Sequence, residues 1–135
     1  MDNWYADIES KAFTIFKTRM LKKHKKTYPN MALTTDDENY IPKTFPTIYF
    51  REINFSEKAH TFVNKNILMG IASFEVEVVT NISKEECRKL SIYVIAEMKS
   101  LALDLDEQSP AMIDGDLYRS ILRFSGWLDE RMFNR

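Results

Sequence analysis

Two carboxylates have the spacing that acid–base chemistry would use. Glu75 and Glu77 lie two positions apart in the stretch SFEVEVVTN, residues 73–81. In a β-strand this spacing places both side chains on one face, about 7 Å apart. Paired carboxylates act as acid and base when a cleft partly buries them. The same alternation is the ordinary pattern of a half-buried strand, so we favour a solvent-facing side or a polar protein contact.

Nucleophilic and metal-binding residues are scarce. The chain has one cysteine, Cys87, and two histidines, His24 and His60, which are far apart in sequence. A zinc site needs three or four such ligands. Cys87 falls on an apolar helical stripe, where cysteine behaves as a small hydrophobe. Phosphate-binding, dinucleotide-binding and serine-nucleophile motifs are also missing from the sequence. We therefore expect no catalytic residues, no metal and no cofactor, in a protein that is not an enzyme.

A basic run at residues 17–26 contains six Lys or Arg residues and no acidic residue. Clustered cations can neutralise nucleic-acid phosphates. Aromatic residues are not interleaved with this run, and positive charge also suits the C-terminal end of a helix. The whole chain has a formal net charge of −1, which gives no general attraction for nucleic acid. We expect a helix end here and keep a DNA-binding module as a minor alternative.

Three arginines lie in stretches that are predicted to be neighbouring strands. These are Arg51, Arg119 and Arg123, and Glu75 and Glu77 would lie opposite them. One interpretation is cross-strand ion pairing within a subunit, which stabilises a sheet only slightly. The other is a charged face that contacts the next subunit. The sequence favours neither, and these five residues are the candidates for a subunit interface.

Periodicity predicts two helices and four strands in the order α, β, β, α, β, β. A polar connection with two prolines is expected at residues 27–44, and a loop at residues 54–66. The helices are predicted at residues 3–25 and 84–101, and the strands at 45–53, 67–80, 102–107 and 117–124. We expect one α+β domain, residues 1–135, in which a small, mainly antiparallel sheet of about four strands packs with two helices.

Residues at helical spacing mark the buried face of each helix. In the first helix they are Trp4, Ile8, Ala12, Phe13, Ile15, Phe16 and Met20, and in the second Cys87, Leu90, Ser91, Val94, Ile95, Met98 and Leu101. Asp2 or Asn3 is expected to cap the first helix. Ser83 and Glu86 match a capping box, in which each side chain accepts from the other's backbone N–H. Ser125 is expected to cap a last helical turn in the tail SGWLDERMF.

The predicted loop at residues 54–66 is long for a compact domain, and such loops are often functional. It carries Phe55, Phe62 and Val63 among polar residues. These side chains either contact a partner or fold back onto the core, and both alternatives stay open. Gly70, shortly after the loop, indicates a bulge or bend in the strand that follows.

The chain has no signature of export or membrane insertion. A single cysteine excludes a disulfide framework within the chain and fits a reducing place of synthesis. The N-terminus MDNWYADIES has no basic leader followed by an apolar run. No apolar stretch approaches the roughly 20 residues that span a bilayer. We expect synthesis in the cytoplasm and no membrane partner.

Four segments, taken together and in order, resemble the tail completion, or tail terminator, proteins of long-tailed bacteriophages (siphophage minor tail proteins). Members of that family typically have an F-P strand, an S/T-F-x-hydrophobic-E-V strand, a helix ending in M-K, and a Y-R-x-hydrophobic-x-R-F strand. The corresponding pieces here are Phe45–Pro46, Ser73–Asn81, Met98–Lys99 and Tyr118–Phe124. The resemblance covers about residues 45–125. Many relatives have another basic residue after R-F, where this chain has Ser125–Gly126–Trp127.

The resemblance implies a structural virion protein of the tail and neck, made in the cytoplasm of the host bacterium. Such proteins form a ring, usually a hexamer, on the head-proximal end of the tail tube. The ring stops tube polymerisation and offers a surface for head–tail joining. The implied partners are other copies of the chain, the tail tube protein and the head–tail connector or stopper protein. Genomic DNA would only pass through the ring, and the loop aromatics would contact tube or connector.

Other functions are weighed against this one. The nearest is another neck or tail component, such as a head-completion, stopper or tail tube protein. A small enzyme or ligand-binding α+β domain is a different class. The scarcity of convergent His, Cys, Gly and carboxylate residues disfavours an enzyme.

Overall fold

The computed structural model describes residues 7–35, 44–63 and 66–129, with backbone alone for residues 54–63, 66–69 and 129. Two helices and six strands make up this part of the chain. They are α1 (Ile8–His24), β1 (Ala32–Thr34), β2 (Thr47–Val63), β3 (Asn66–Thr80), α2 (Lys84–Ser100), β4 (Asp104–Gln108), β5 (Met112–Asp114) and β6 (Leu117–Asp129).

All six strands belong to one sheet, in the order β1-β2-β3-β6-β4, with β5 also paired to β6. Only β1–β2 is parallel among these pairs; the others are antiparallel. The α+β class is confirmed, but the expected number of about four strands is wrong. The two additional strands have three residues each, too few for a sequence period to reveal. β1 lies inside the predicted connection, and β5 joins β6 through a turn at Gly115, whose φ is +62°.

The predicted loop at residues 54–66 is wrong for its described part. β2 continues to Val63 and pairs with β3, in the order Phe55 with Ala72, Phe62 with Ile67 and Val63 with Asn66. The pairing shifts register at three places: between Glu52 and Asn54, between Ser56 and Thr61, and between Thr61 and Phe62. These irregularities break the period of two, so the sequence does not read as a strand. The third leaves one extra residue, Leu68, in β3, two positions from Gly70, where we expected a bulge or bend.

The helical turn predicted for the tail SGWLDERMF is also wrong for the part of the tail that the structure describes, and so is its cap at Ser125. β6 continues through Ser125 to Asp129, and these residues pair with the β3 stretch from Ser73 back to Met69. The backbone groups of this stretch thereby complete a ladder with a long neighbouring strand. That ladder satisfies more hydrogen bonds than a single helical turn would.

The first helix begins later than expected. α1 is capped at Asp7, whose side chain makes no capping hydrogen bond, while Asp2, Asn3 and Trp4 lie outside the described residues. The buried face carries the expected Ile8, Ala12, Phe16 and Met20.

The second helix agrees closely with its prediction. Ser83 Oγ accepts from the Glu86 N–H at 3.1 Å, as one half of the capping box requires. The Glu86 carboxylate instead accepts from the Tyr28 hydroxyl. α2 ends in a Schellman motif: the N–H of Leu103 donates to the Met98 carbonyl at 3.0 Å, with Ala102 left-handed at φ +63°.

Both helices cover one face of the sheet, and the core lies between them. Phe50 of β2 is its aromatic centre, with ring centroids 5.6 Å from Phe13, 5.3 Å from Phe16 and 5.1 Å from Phe74. Val76, Val78, Leu122 and Phe124 complete the sheet side, and Cys87, Leu90, Val94 and Met98 supply the α2 side. This arrangement braces the three long strands from one side, and neither described helix covers the opposite face.

Candidate functional site

The face of the sheet without helices carries the five predicted interface residues, and we call it the open face. Alternation puts Arg51 of β2, Glu75 and Glu77 of β3, and Arg119 and Arg123 of β6 on this side, because their neighbours along each strand are core residues. The register places Arg51, Glu75 and Arg123 in one row across three strands. The expectation that the strands of the three arginines are direct neighbours is wrong, because β3 lies between β2 and β6. The expectation that the two glutamates lie opposite the arginines is confirmed, since they are on β3 itself.

Glu75 is the centre of an ion-pair triad. Arg51 Nη2 and Nε both lie 2.6 Å from Glu75 Oε2, and Arg123 Nε lies 3.5 Å from Glu75 Oε1. The Glu75 side chain is only 10% exposed, whereas that of Arg123 is 54% exposed. Both carboxylate oxygens therefore have a cationic neighbour, which offsets the cost of burying the charge.

A second set of ion pairs continues the ladder. Arg119 bridges two carboxylates, with Nη1 3.2 Å from Glu77 Oε2 and Nε 2.9 Å from Asp114 Oδ2. Arg123 also approaches Glu107 of β4, at 3.8 Å. Each of the five predicted residues thus has a partner within the same subunit. Their contact with a second subunit stays a prediction.

The carboxylate pair is not arranged as an acid and a base. Glu75 and Glu77 each accept from a guanidinium of a neighbouring strand. A small open depression lies beside Arg123 and is lined by Glu107, Ser109 and Ile121. Neither carboxylate of the pair lines it. This geometry suits a rigid, charged surface better than proton transfer to a bound substrate.

Apolar side chains lie beside the triad on the open face. Ile53, in the bulge of β2, is 51% exposed, and Trp127 of β6 is 47% exposed. Trp127 pairs with Ile71 across the sheet, two rows from Glu75. Large apolar groups next to ordered charges are typical of surfaces that contact other proteins. Trp127 was not among the predicted interface residues; its outward place in an alternating strand is the signal that would have identified it.

The β2–β3 hairpin carries the other predicted contact residues. Within the described residues, β6 pairs with β3 as far as Met69, opposite Asp129. The pairs Phe62–Ile67 and Val63–Asn66 lie further out along the β2–β3 arm, while Phe55 pairs with Ala72 nearer the body. Residues 62 and 63 thus lie in paired strand near the end of β2, where we expected a loop. Whether they contact a tube or connector stays a prediction.

Two of the reactive side chains considered from sequence, Cys87 and His24, lie in structural positions, while the side chain of His60 lies outside the described part of the structure. Cys87 Sγ is 3.8 Å from the Val78 carbonyl oxygen, and burial raises the pKa of its thiol to about 11. The thiol is therefore protonated at neutral pH, which disfavours nucleophilic attack. His24 stacks on Tyr93 with ring centroids 4.3 Å apart, and burial lowers the pKa of its imidazole.

Sequence reasoning missed a polar seam between the two helices. It consists of four contacts that run antiparallel along α1 and α2, namely Arg19–Ser100, Lys23–Glu97, His24–Tyr93 and Tyr28–Glu86. Glu97 is only 2% exposed, and Lys23 pairs with its carboxylate. Glu97 follows Val94 by three positions and so falls on the apolar stripe of α2. A carboxylate on the apolar stripe of α2, together with a basic helix elsewhere in the chain, was the sequence signal that could have predicted this seam.

Two further findings concern the described part of the chain. No three His, Cys, Asp or Glu side chains come together there as a metal site would require. In the same residues, no helix has the length and apolar character needed to cross a membrane.

Comparison with known proteins gives little beyond the fold. No family model and no curated protein matches the chain. A solved structure without a descriptive name aligns with 87% of this chain and 92% of its own, at 12% sequence identity and a TM-score of 0.49. A likeness of that degree carries no argument about function.

Proposed function

We propose that this protein is a tail terminator of a long-tailed bacteriophage. In this role it forms a ring on the head-proximal end of the tail tube, stops tube polymerisation and provides the surface for head–tail joining. It acts as a structural protein of the virion and not as an enzyme. The partners are other copies of the chain, the tail tube protein and the head–tail connector or stopper protein.

The observation that carries this proposal is where the resembling segments lie in the fold. Phe45–Pro46 precedes β2, Ser73–Asn81 covers most of β3, and Tyr118–Phe124 covers half of β6. Met98–Lys99 ends the helix that packs against these strands, since Met98 belongs to the core. The segments that resemble the family are thus neighbours in space, as a shared fold would require.

The mechanics of the fold also support a ring subunit. Identical contacts close a ring only when each subunit holds a fixed angle between its two contact surfaces. Here three long strands are braced by two helices on one face, and the ladder of ion pairs crosses the strands on the other. The β2–β3 arm extends from this body and is available to contact a tube or a connector. Backbone groups at a strand edge can bind a partner without special side chains.

Assembly with the tube protein tests the proposal. The full chain is added to polymerising tail tube protein, and tube lengths and ends are measured by negative-stain electron microscopy. We expect shorter tubes, each with one capped end, and a ring with a central hole on that end. Native mass spectrometry of the chain alone gives the number of subunits in any ring that forms beforehand.

Two outcomes would overturn the proposal. Extended tubes formed by this chain alone would identify it as a tube protein. Unchanged tube lengths, with no chain bound at either end, would leave the terminator function without support. A matched control is an unrelated small α+β protein at the same concentration, which must leave tube lengths unchanged.

A further inference from the structure

The near-zero net charge hides two segments of opposite sign. Residues 17–26 carry six Lys or Arg residues and no acidic residue, whereas residues 104–116 carry five Asp or Glu residues and no basic residue. The first segment is the C-terminal half of α1 and the turn after it. The second comprises β4, β5 and the residues between and just after them. We call these the basic flank and the acidic edge.

The fold places the two segments towards different ends of the sheet. α1 lies over the β1–β2 side of the sheet, since Glu9 accepts from the Glu52 N–H at 2.7 Å and Phe16 packs on Phe50. β4 forms the last strand at the other end of the sheet, beyond β6. α2 lies between, packed on β3 and β6 through Cys87. In the described structure, no ion pair joins the basic flank to the acidic edge within one subunit.

The charges of both segments are available to a partner. Every residue of β4 and β5 is exposed. Glu107 and Asp114 pair with arginines of β6, but Asp104, Asp106 and Asp116 have neither a hydrogen bond nor an ion pair in the described structure. The basic flank likewise keeps exposed lysines without such partners within the described residues. They are Lys22, Lys25 and Lys26.

The acidic edge is also an unpaired edge of the sheet. Within the described structure, β4 pairs on one side only, with β6. Its other side presents backbone N–H and C=O groups that a partner can bind. Acidic side chains protect such an edge from strands in general, while they attract a basic partner. The basic flank of a second copy of the chain is such a partner.

We propose that copies of this chain associate head to tail, with the acidic edge of one copy against the basic flank of the next. The inference deepens the proposed function, on which the ring itself rests, by assigning the surfaces that join neighbouring subunits. The proposed contact differs from one made through the open face alone, because the charges of the open face already have partners within the subunit. The acidic edge and the basic flank are two different surfaces, so their contact is heterologous, which is the type that builds rings.

Charge reversal in matched pairs tests the proposal by sedimentation velocity on the full chain. Asp104→Lys with Asp106→Lys makes the edge basic, and Lys25→Glu with Lys26→Glu makes the flank acidic. We expect each double variant alone to self-associate at least tenfold more weakly than the wild type, because like charges then meet. Mixing the two double variants is expected to restore association, since each modified surface then faces an opposite charge.

Salt and control variants sharpen the test. Raising ionic strength is expected to weaken wild-type association, because exposed charges are screened over about 8–10 Å near physiological salt. Lys84→Glu with Lys89→Glu reverses two exposed lysines of α2 that lie in neither segment, and association is expected to stay unchanged. Circular dichroism of every variant must match that of the wild type, so that loss of association is not loss of folding.

The outcomes separate this inference from the proposed function. Rings that form equally well with either double variant, or a mixture that stays dissociated, would overturn the inference while leaving the terminator function intact. A wild type that stays monomeric at low salt at every concentration would also overturn it, and the acidic edge would then serve only as protection. Head-to-tail association without any effect on tube length would support the inference and contradict the terminator function.

Discussion

Gly126 of β6 lies directly against the end of α2. A Cβ atom added at this position would lie 2.2 Å from the carbonyl oxygen of Ala102, which is far closer than a real contact allows. The clashing atom belongs to the backbone, so no side-chain rotation relieves it. We expect Gly126→Ala to lower the free energy of unfolding by about 2 kcal/mol or more, measured by urea unfolding.

A substitution at the neighbouring position is the control for placing alanine in this part of β6. Ser125→Ala changes the adjacent position, which faces the other side of the sheet and is partly exposed. Its unfolding midpoint is expected to stay close to that of the wild type. Equal stability of Gly126→Ala and Ser125→Ala would mean that the α2–β4 turn does not pack on β6 as described.

Ala102 occupies a backbone conformation that favours glycine. Its φ of +63° is left-handed, at the position after the helix cap where Schellman motifs usually have glycine. Ala102→Gly removes the steric cost of the Cβ atom and is expected to stabilise the protein by about 0.5–1 kcal/mol in thermal or urea unfolding. The matched control is Ala96→Gly on the exposed face of α2, expected to destabilise by about 1 kcal/mol. The same sign for both substitutions would contradict the motif.

Glu52 carries the clearest pH dependence. Burial and, to a lesser extent, the nearby Glu9 carboxylate raise its pKa, and Glu52 Oε2 is buried without a hydrogen-bond partner. The pKa of Glu52 is thus higher in the folded than in the unfolded protein. Ionised Glu52 therefore destabilises the fold at pH values above the folded-state pKa. The penalty disappears at pH values below the ordinary carboxyl pKa, where the group is protonated in both states. We expect Glu52→Gln to raise Tm near neutral pH, with the gain fading towards about pH 4.

An exposed glutamate provides the contrast. Glu85 lies in the first turn of α2, where a negative charge is favourable. Glu85→Gln is therefore expected to lower Tm slightly. A gain from Glu52→Gln that is the same at every pH would show that charge is not its cause.

At the scale of elements, α2 is the main support of the sheet. Leu90 is fully buried on the stripe that faces β3 and β6, and Ile92, two positions on, is 62% exposed. Leu90→Ala is expected to lower the free energy of unfolding by about 2–4 kcal/mol, whereas Ile92→Ala should change it by less than about 0.5 kcal/mol. Guanidinium unfolding of both variants measures the difference. Similar losses at the two positions would mean that the helix face is assigned wrongly.

Elements with an undisturbed period were predictable from the sequence. The α2 stripe from Cys87 to Leu101 is buried as expected, because a single apolar face at helical spacing leaves only one way to pack. The inner halves of β2, β3 and β6 alternate as expected for the same reason. For the same reason, the five interface candidates fall on one face of the sheet, with the glutamates opposite the arginines as expected.

The remaining elements depend on partners that the local sequence does not reveal. The pairing of the outer half of β2 with β3 contains three register shifts, so the alternation disappears although the backbones are paired. The strand after Ser125 forms because β3 offers it a long neighbour, and no local pattern specifies that neighbour. β1 has three residues, among which Leu33 packs into the core through a parallel pairing with β2. Tertiary context decides each of these cases.

At the scale of the whole molecule, a substitution of Arg123 in the ladder of ion pairs is the best way to test assembly without disturbing folding. Its side chain is the most exposed of the five interface candidates, and it approaches both Glu75 and Glu107. Arg123→Glu is expected to lower the free energy of unfolding by only about 1 kcal/mol, because exposed ion pairs are weak. It is expected to weaken ring formation more strongly, as measured by native mass spectrometry.

Two comparisons make that prediction specific. Arg88→Glu reverses an exposed charge of α2 and is expected to leave ring formation unchanged. Glu77 is less suitable than Arg123, since its side chain is 17% exposed and its reversal would leave Arg119 beside a cation. Normal rings from Arg123→Glu, with stability intact, would remove this residue from the interface.

The polar seam between the helices has a consequence for synthesis on the ribosome. α1 and Tyr28, just after it, are made first, and their seam partners follow 58 to 81 positions later in the chain. The apolar stripe of α1 therefore stays uncovered by α2 until α2 has been translated. The chain can complete its core only when most of its length has left the exit tunnel.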